Sequence, residues 1–404
     1  MKVLHTADWH LGKKLNDFSR HDEQVEVLEE ICQIADSEAV DVVLIAGDLY
    51  DTFNPATESV ELFYKTVKKL SKDGRRPVVA IAGNHDSADR IEAPDPLARE
   101  CGIILAGYPD SEPHPFKLET GLEVTKSAPG FIELRINETL PLLRLILTPY
   151  ANEARMKQYF EDADHEEALR QTIKKQWETA AETYCDEKGV NLLVAHLFMA
   201  KKGAELEKEP EDEKQILHIG GAQVIYSDDV PSQIQYTALG HLHRFRDLHK
   251  NLEKAPVVYS GSLLEYSFSE AHQQKFVSII EAKPGEEASY KSIGLASGKR
   301  LHRKKFEVID DAIIWLKENP DTFVELTIVS DGFLEAEAKK ALYSAHKGIV
   351  FLIPEIKGGG KIAKGESIDI TQNTEDLFVS YFTQKNGVEP DSALMEVFRE
   401  MMGK

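Results

Sequence analysis

Cysteine is scarce in this chain. Three occur among 404 residues, at Cys32, Cys101 and Cys185, and no two have the close spacing of a metal-binding or redox pair. The composition predicts neither a disulfide framework nor a thiolate zinc site, and it fits a reducing, cytoplasmic location best.

Long apolar runs are absent as well. Residues 1–5 lack the apolar stretch of a signal peptide, and the apolar run at 42–46 has only the length of a strand. A membrane-spanning helix needs about 20 apolar residues. We therefore expect a soluble, intracellular protein.

Basic residues are fewer than acidic ones. The chain has 48 Lys and Arg against 69 Asp and Glu, a formal net charge of -21 at pH 7. Such a surface repels a polyanion at long range, so contact with nucleic acid must be local, metal-assisted or shared with a partner. No base-reading motif, internal repeat or low-complexity tract stands out.

The apolar content of 42% is sufficient for a full α/β core beside smaller modules. In the first third of the chain, short β-branched runs alternate with helical patterns, which is typical of βαβ units. The predicted strands cover residues 2–6, 41–46, 77–82, 191–195, 236–239 and 256–260.

After about residue 303 the pattern restarts, which predicts a compact second domain. The unit is βαββ-like or βαβαβ. Its predicted elements are a strand at 305–309, a helix at 312–317, a strand at 324–329, a helix at 334–345 and a strand at 349–353.

Five short polar motifs each follow a predicted strand. They are Asp8-Trp9-His10, the run from Gly47 to Asp51, the run from Gly83 to Asp86, Ala195-His196, and the run from Gly240 to His243. Each motif alone is weak, because an aspartate there often caps a helix and a lone histidine is often a core residue. Together they indicate one cleft, because loops at the carboxyl ends of strands converge.

The residue types in these motifs suit a pair of divalent metals that clamps a phosphodiester. Asp48 is the natural candidate to bridge the two ions. With Asp8 and Asp48 as the only anionic ligands and with neutral Asn84 and histidines, the loaded site would keep a charge of about +2 and attract phosphate. Nitrogen and oxygen ligands without cysteine favour Mn²⁺ or Fe²⁺, although they also bind zinc.

The order of these motifs resembles the calcineurin-type metallophosphoesterase superfamily over residues 8–243. The segments 5–12, 238–243 and 259–262 are similar to its SbcD branch. The resemblance implies a four-layer α/β/β/α sandwich with a small α/β capping domain and a C-terminal helical tail. We expect a nuclease domain at 1–298, a DNA-contacting capping domain at 299–356, a flexible linker at 357–370 and a helical partner-binding tail at 371–404.

The same resemblance implies a ligand set for two Mn²⁺ ions, with Fe²⁺, Mg²⁺ or Zn²⁺ as alternatives. One ion would be held by Asp8, His10 and His243, the other by Asn84, His196 and His241, and Asp48 would bridge them.

The resemblance also implies that His85 faces the substrate and helps to protonate the leaving alkoxide. Alternatively, His85 is another ligand or supports one. Asp51 would hold the His85 imidazole, but Asp51 could instead cap a turn, and Asp86 is a competing partner.

The densest basic run lies at the start of the second domain and is our predicted DNA contact. Its members are Lys299, Arg300, Arg303 and Lys304. The alternative is a charged connection between domains. Since base-reading motifs are lacking, we expect recognition of the DNA backbone and of end structure.

Apolar residues in the tail recur at helical spacing and need a surface to cover. They are Leu377, Phe378, Tyr381, Phe382, Leu394 and Phe398. They either fold back on their own domain or dock on a partner. The resemblance implies that this partner is a coiled-coil ATPase of the SbcC type, and that the chain is a homodimer within a heterotetramer.

The resemblance implies a Mn²⁺-dependent DNA nuclease, with 3'-5' exonuclease activity on double strands and endonuclease activity on single strands and hairpins. Its role would lie in DNA repair, replication and recombination. Two alternatives are a phosphodiesterase acting on a nucleotide or other small phosphodiester, and a mainly scaffolding subunit.

Overall fold

The computed structural model describes residues 1–157, 165–204, 224–330 and 334–356, together with 375, 377–379, 382, 390, 394, 395 and 398. Within these residues, no helix is long and apolar enough to cross a membrane.

The strands follow one another along the whole described chain. In order they are β1 Lys2–Thr6, β2 Lys14–Leu15, β3 Phe18–Ser19, β4 Val42–Ala46, β5 Val78–Ile81, β6 Ile103–Ala106, β7 Glu123–Ala128, β8 Phe131–Arg135, β9 Leu143–Thr148, β10 Val190–His196, β11 Met199–Ala200, β12 Ile225–Tyr226, β13 Tyr236–Gly240, β14 Arg246–Asp247, β15 Val257–Tyr259, β16 Phe276–Glu281, β17 Ser289–Gly294, β18 Arg300–Phe306, β19 Thr322–Ser330 and β20 Ile349–Ile356.

The helices lie between these strands. They are α1 His21–Ser37, α2 Thr57–Ser71, α3 Ala88–Glu92, α4 Asp95–Ala98, α5 Glu153–Met156, α6 His165–Tyr184, α7 Ile309–Glu318 and α8 Ala336–Ala345.

Two large sheets organise the first part of the chain. The first has the strand order β17-β16-β1-β4-β5-β6, and the second has the order β14-β15-β13-β10-β9-β8-β7. In the first, β1, β4, β5 and β6 are parallel. In the second, β9, β10, β13 and β15 are parallel. The carboxyl ends of each parallel set therefore lie along one edge.

Apolar clusters on both faces of the sheets explain the continuous apolar runs. One cluster packs Val42 and Leu44 of the first sheet against Leu145 and Val194 of the second. Another packs the outer face of the first sheet on α1 and α2, and a third packs Trp177 of α6 on the second sheet. The layers are therefore helix, sheet, sheet and helix, as predicted.

The start of the small module differs from the prediction. Its first strand is Arg300–Phe306, and α7 already begins at Ile309, so the predicted strand at 305–309 is wrong. Leu301 is the one buried side chain of this strand. Because four of its seven positions are Lys or Arg, the strand carries no apolar run. The observed order is strand, helix, strand, helix, strand.

The described residues group into two compact units. The first comprises residues 1–304, 319–325 and 348–351, and the second comprises the remaining described residues. The domain boundaries stay predictions, and the predicted linker at 357–370 lies outside the described residues.

Several predicted tail residues are described. Leu377, Phe378, Phe382, Leu394 and Phe398 are helical and half-buried, whereas Tyr381 lies outside the described residues. The rings of Phe378 and Phe398 stack with their centroids 4.0 Å apart. Two distant positions of the tail, Phe378 and Phe398, are therefore in direct contact.

Candidate metal centre

The seven predicted ligands come together at the carboxyl ends of the two parallel strand sets. Donor atoms of Asp8, His10 and Asp48 lie within 4.8 Å of one another, as do those of Asp48, His196 and His241. The remaining two predicted ligands join this cluster, because His243 Nε2 lies 3.0 Å from His10 Nε2 and Asn84 Oδ1 lies 2.9 Å from His196 Nε2. All seven side chains are buried.

The two carboxylates use their oxygens in the same way. Asp8 Oδ1 accepts a hydrogen bond from the His241 main-chain N–H at 2.8 Å, and Asp48 Oδ1 accepts one from the His85 N–H at 2.9 Å. The Oδ2 atom of each is buried and has no hydrogen-bond partner among the described residues. A buried carboxylate oxygen left in this way is costly unless a cation binds it. Both atoms therefore suit metal ligation.

Two imidazoles are oriented by acceptors behind them. His196 Nδ1 donates to the Ala46 carbonyl at 2.8 Å, and His243 Nδ1 donates to Glu270 Oε1 at 3.0 Å. In their neutral forms, both rings turn the Nε2 lone pair towards the cluster. This is the arrangement of metal-binding histidines, whose second nitrogen donates to a carbonyl or carboxylate.

The facing donor atoms also have the spacing of ligands around a shared ion. His196 Nε2 lies 2.9 Å from Asn84 Oδ1 and 3.2 Å from Asp48 Oδ2. Ligands about 2.1 Å from an ion and at right angles to each other lie about 3.0 Å apart. The residues present therefore fit divalent metal ions.

Burial and close charges shift the pKa values of several ligands in the metal-free site. Burial raises the pKa of Asp8 to about 7. Burial also acts to raise the pKa of Asp48, but His196, His85 and His10 hold it below its usual range. For His196, burial acts to lower the pKa, yet Asp48 raises it to about 9. A metal ion would replace the protons that balance these charges.

The backbone is also strained at this centre. Asp8, His10, Asp48 and His241 have φ angles of 52°, 44°, 47° and 105°. Such left-handed conformations are uncommon for residues other than glycine, and they concentrate at functional sites.

Close packing explains the glycine in front of two of the ligands. A Cβ atom at Gly83 would lie 2.1 Å from Asp48 Oδ1, and one at Gly240 would lie 1.9 Å from the Ala46 carbonyl oxygen. Both distances are far below a normal contact, so neither position has room for a side chain.

His85 contacts Asp51 through the main chain. His85 Nδ1 donates to the Asp51 carbonyl oxygen at 2.7 Å. The Asp51 carboxylate lies 3.5 Å from Lys13 Nζ and 3.8 Å from His10 Nδ1. The catalytic roles of His85 and Asp51 stay predictions.

Asp86 connects two of the loops. Its carboxylate accepts from the N–H groups of Gly83 at 2.8 Å, Leu49 at 3.0 Å and Tyr50 at 2.9 Å. It thereby ties the loop that carries Asn84 to the loop that follows Asp48.

Three further residues support the centre and were missed by sequence reasoning. Arg155 donates to the carbonyl oxygens of Gly83 at 2.9 Å and Asp86 at 2.5 Å. Glu270 holds His243, and Lys275 Nζ lies 2.5 Å from Glu270 Oε2. No local sequence pattern marks any of the three.

The predicted DNA-contacting residues are on or beside β18. Arg300 donates to Gln274 Oε1 at 2.9 Å, and Arg303 Nε lies 3.0 Å from Glu325 Oε1. Lys299 Nζ lies 5.3 Å from the centroid of the Phe323 ring. Lys304 is the fourth member, and a DNA-binding role for the group stays a prediction.

Comparison with known proteins identifies the family. A family model described as calcineurin-like phosphoesterase matches residues 1–245. The chain is 34% identical over 410 residues to the D subunit of the nuclease SbcCD of Bacillus subtilis (strain 168), covering 99% of this chain and 97% of that protein.

Two solved structures show a weaker likeness. They are TT1561 of Thermus thermophilus, at 11% identity, and a dimetal phosphatase from Danio rerio, at 10% identity. Each match covers 73% of this chain and 99% of the other, with a TM-score of 0.37, which is too low to carry an argument. The family model and the Bacillus relative suffice: the chain belongs to the calcineurin-like phosphoesterase family, within it to the SbcD nucleases, and it is a metal-dependent phosphodiesterase.

Proposed function

We propose that this chain is a Mn²⁺-dependent, two-metal DNA nuclease and the nuclease subunit of an SbcCD-type complex. It would act as a 3'-5' exonuclease on double strands and as an endonuclease on single strands and hairpins, in DNA repair, replication and recombination. The observation that carries the proposal is the pair of buried Oδ2 atoms of Asp8 and Asp48, which lack a hydrogen-bond partner among the described residues. They lie in one cluster with histidine nitrogens.

The ligands divide into two sets around Asp48. Asp8, His10 and His243 would hold one ion, and Asn84, His196 and His241 the other. The short distances between His10 and His243 and between Asn84 and His196 support this division. Bound there, two divalent ions lower the pKa of a water molecule and stabilise charge on a phosphodiester oxygen.

His85 would donate a proton to the leaving oxygen of the cleaved strand. The Asp51 carbonyl accepts a hydrogen bond from His85 Nδ1 at 2.7 Å, which fixes the ring, and the doubly protonated imidazole would give up its Nε2 proton. The side chain of Asp51 is 25% exposed, whereas those of His10 and Asp48 are fully buried. This difference suggests that substrate enters on the His85 and Asp51 side.

Duplex DNA would be held mainly by backbone contacts. The arginine side chains on β18 are accessible, at 44% exposure for Arg300 and 54% for Arg303. With Lys299 and Lys304 they would give salt-sensitive phosphate contacts. Because the whole chain carries a charge of -21, these local charges and the metal centre must provide the attraction.

The proposal extends to the partner and the assembly. The Bacillus relative is by name one subunit of a complex, and the described apolar residues of the tail are helical and half-buried. Docking of this tail on a coiled-coil ATPase of the SbcC type, and a homodimer within a heterotetramer, are the proposed arrangement. The free cysteines support a cytoplasmic location.

The test uses the full chain and its Asp48→Asn variant, each assayed with Mn²⁺ and with EDTA. End-labelled duplex, a DNA hairpin and a chromogenic phosphodiester serve as substrates. We expect Mn²⁺-dependent cleavage of both DNA substrates by the wild type and none by the variant. Turnover of the chromogenic compound alone would support a small-molecule phosphodiesterase. Equal activity of wild type and variant would mean a scaffold with contaminating nuclease.

A further inference from the structure

The two oriented histidines of the metal centre donate to different kinds of acceptor. Behind His196 stands a neutral main-chain carbonyl, that of Ala46. Behind His243 stands the Glu270 carboxylate, 3.0 Å from Nδ1. An anionic acceptor makes an imidazole a stronger metal ligand than a neutral one does.

Glu270 is itself fixed by a buried cation. Lys275 Nζ lies 2.5 Å from Glu270 Oε2, and it also donates to the His243 carbonyl oxygen at 2.9 Å and to Ser262 Oγ at 3.0 Å. Glu270 and Lys275 are 2% and 4% exposed. Since a buried carboxylate is stable as an anion only when paired, Lys275 keeps Glu270 charged and in place.

The geometry points to Glu270 as a positioning residue that acts on one half of the metal centre through His243. It holds the ring with Nε2 towards His10 Nε2, 3.0 Å away, and strengthens His243 as a ligand. Loss of Glu270 weakens binding of the ion that Asp8, His10 and His243 would share. It leaves binding of the ion at Asn84, His196 and His241 unchanged. This inference rests on the proposed two-metal centre.

Mn²⁺ titration of the metal-free full chain by calorimetry tests the inference. His243→Ala and His196→Ala assign the two binding events, because each removes a ligand from one side only. In Glu270→Gln, we expect the event that His243→Ala abolishes to weaken by about 10–100-fold, and the other to stay within about twofold. In Glu270→Asp, which keeps the charge on a shorter side chain, we expect a smaller loss.

Glu133→Gln is the matched control. Glu133 is also buried and pairs with a cation, since its Oε2 lies 2.8 Å from Arg144 Nε, but it lies on β8 and is not one of the proposed ligands. We expect it to leave both events unchanged. Should Glu133→Gln reproduce the loss, or Glu270→Gln weaken both events equally, the effect would be general and the inference wrong.

Wild-type titration separates the two proposals. Absence of two Mn²⁺ binding events in the wild type would refute the two-metal centre itself. Two events in the wild type that persist unchanged in Glu270→Gln would refute only the role of Glu270. A thermal unfolding scan of each metal-free variant checks that the comparison is made on folded protein.

Discussion

A methyl group at Gly83 should disable the centre although Gly83 provides no ligand. Its Cβ would lie 2.1 Å from Asp48 Oδ1 and 2.3 Å from the Asp48 main-chain nitrogen, whereas ordinary contact begins at 3.4 Å. One loop must therefore move by about 1.3 Å, because neither neighbour is the free end of a flexible side chain. Arg155 and Asp86 tie the Gly83 loop at its carbonyl and N–H, so the Asp48 loop is also placed under strain.

A misplacement of about 1 Å at a reactive centre costs roughly 100-fold in rate. For Gly83→Ala we expect DNA cleavage to fall by at least that factor, with weaker Mn²⁺ binding. We expect the free energy of unfolding to fall by about 1–3 kcal/mol, as for overpacked cores. Initial cleavage rates on end-labelled duplex, Mn²⁺ calorimetry and urea unfolding measure the three quantities.

Gly294→Ala is the control for the same chemical change. Gly294 ends an edge strand, and its nearest neighbour would be Gln274 Nε2 at 3.2 Å, the end of a flexible side chain. It should match the wild type in all three assays. If Gly83→Ala cleaved DNA and bound Mn²⁺ within twofold of the wild type, the packing argument for the motif glycine would be refuted.

Three further predictions follow from the same structure. Replacing His85 with alanine should lower DNA cleavage by about 100- to 10,000-fold while Mn²⁺ still binds; calorimetry checks this, and loss of metal together with activity would contradict a proton-donor role. Deleting residues 371–404 should abolish co-purification with the ATPase and spare Mn²⁺-dependent cleavage; a complex that survives the deletion would count against the docking tail. Burial lowers the pKa of His5 from 6.5 to about 3, so its contribution to stability is complete above pH 6.5 and is lost as the pH falls towards 3. Between pH 6.5 and 5 that loss is about 2 kcal/mol; urea unfolding should show it in the wild type but not in His5→Gln, and equal pH slopes would rule His5 out as the cause.

The ligand positions could be predicted because each follows a strand within a short motif. Val42–Ala46 is buried at all five positions, so the strand before Asp48 appears in the sequence as an apolar run. Parallel strands then bring distant motifs to one edge. The sequence shows a glycine at position 83, but it does not show why glycine is needed. Only the structure reveals that a Cβ atom there would lie 2.1 Å from Asp48 Oδ1.

Strands with an exposed face were harder to predict. β7, Glu123–Ala128, has one buried position, and β17, Ser289–Gly294, has none. Such antiparallel strands have neither a continuous apolar run nor a clear alternation, so neither was predicted. The strand at Arg300–Phe306 was misplaced for the same reason.

Two of the supporting residues, Arg155 and Glu270, could not be predicted because their partners lie far away in the sequence. Arg155 holds carbonyls 72 and 69 residues away, at Gly83 and Asp86. Glu270 reaches His243 across 27 residues. Buried polar contacts of this kind depend on the final packing of loops, which leaves no periodic trace in the sequence.

Diffraction from Mn²⁺-soaked crystals, with anomalous data at the manganese edge, tests the two-metal centre most directly. We expect two peaks about 3.5–4 Å apart, with a carboxylate oxygen of Asp48 in contact with both. One peak, or two peaks that do not share Asp48, would refute the two-metal centre.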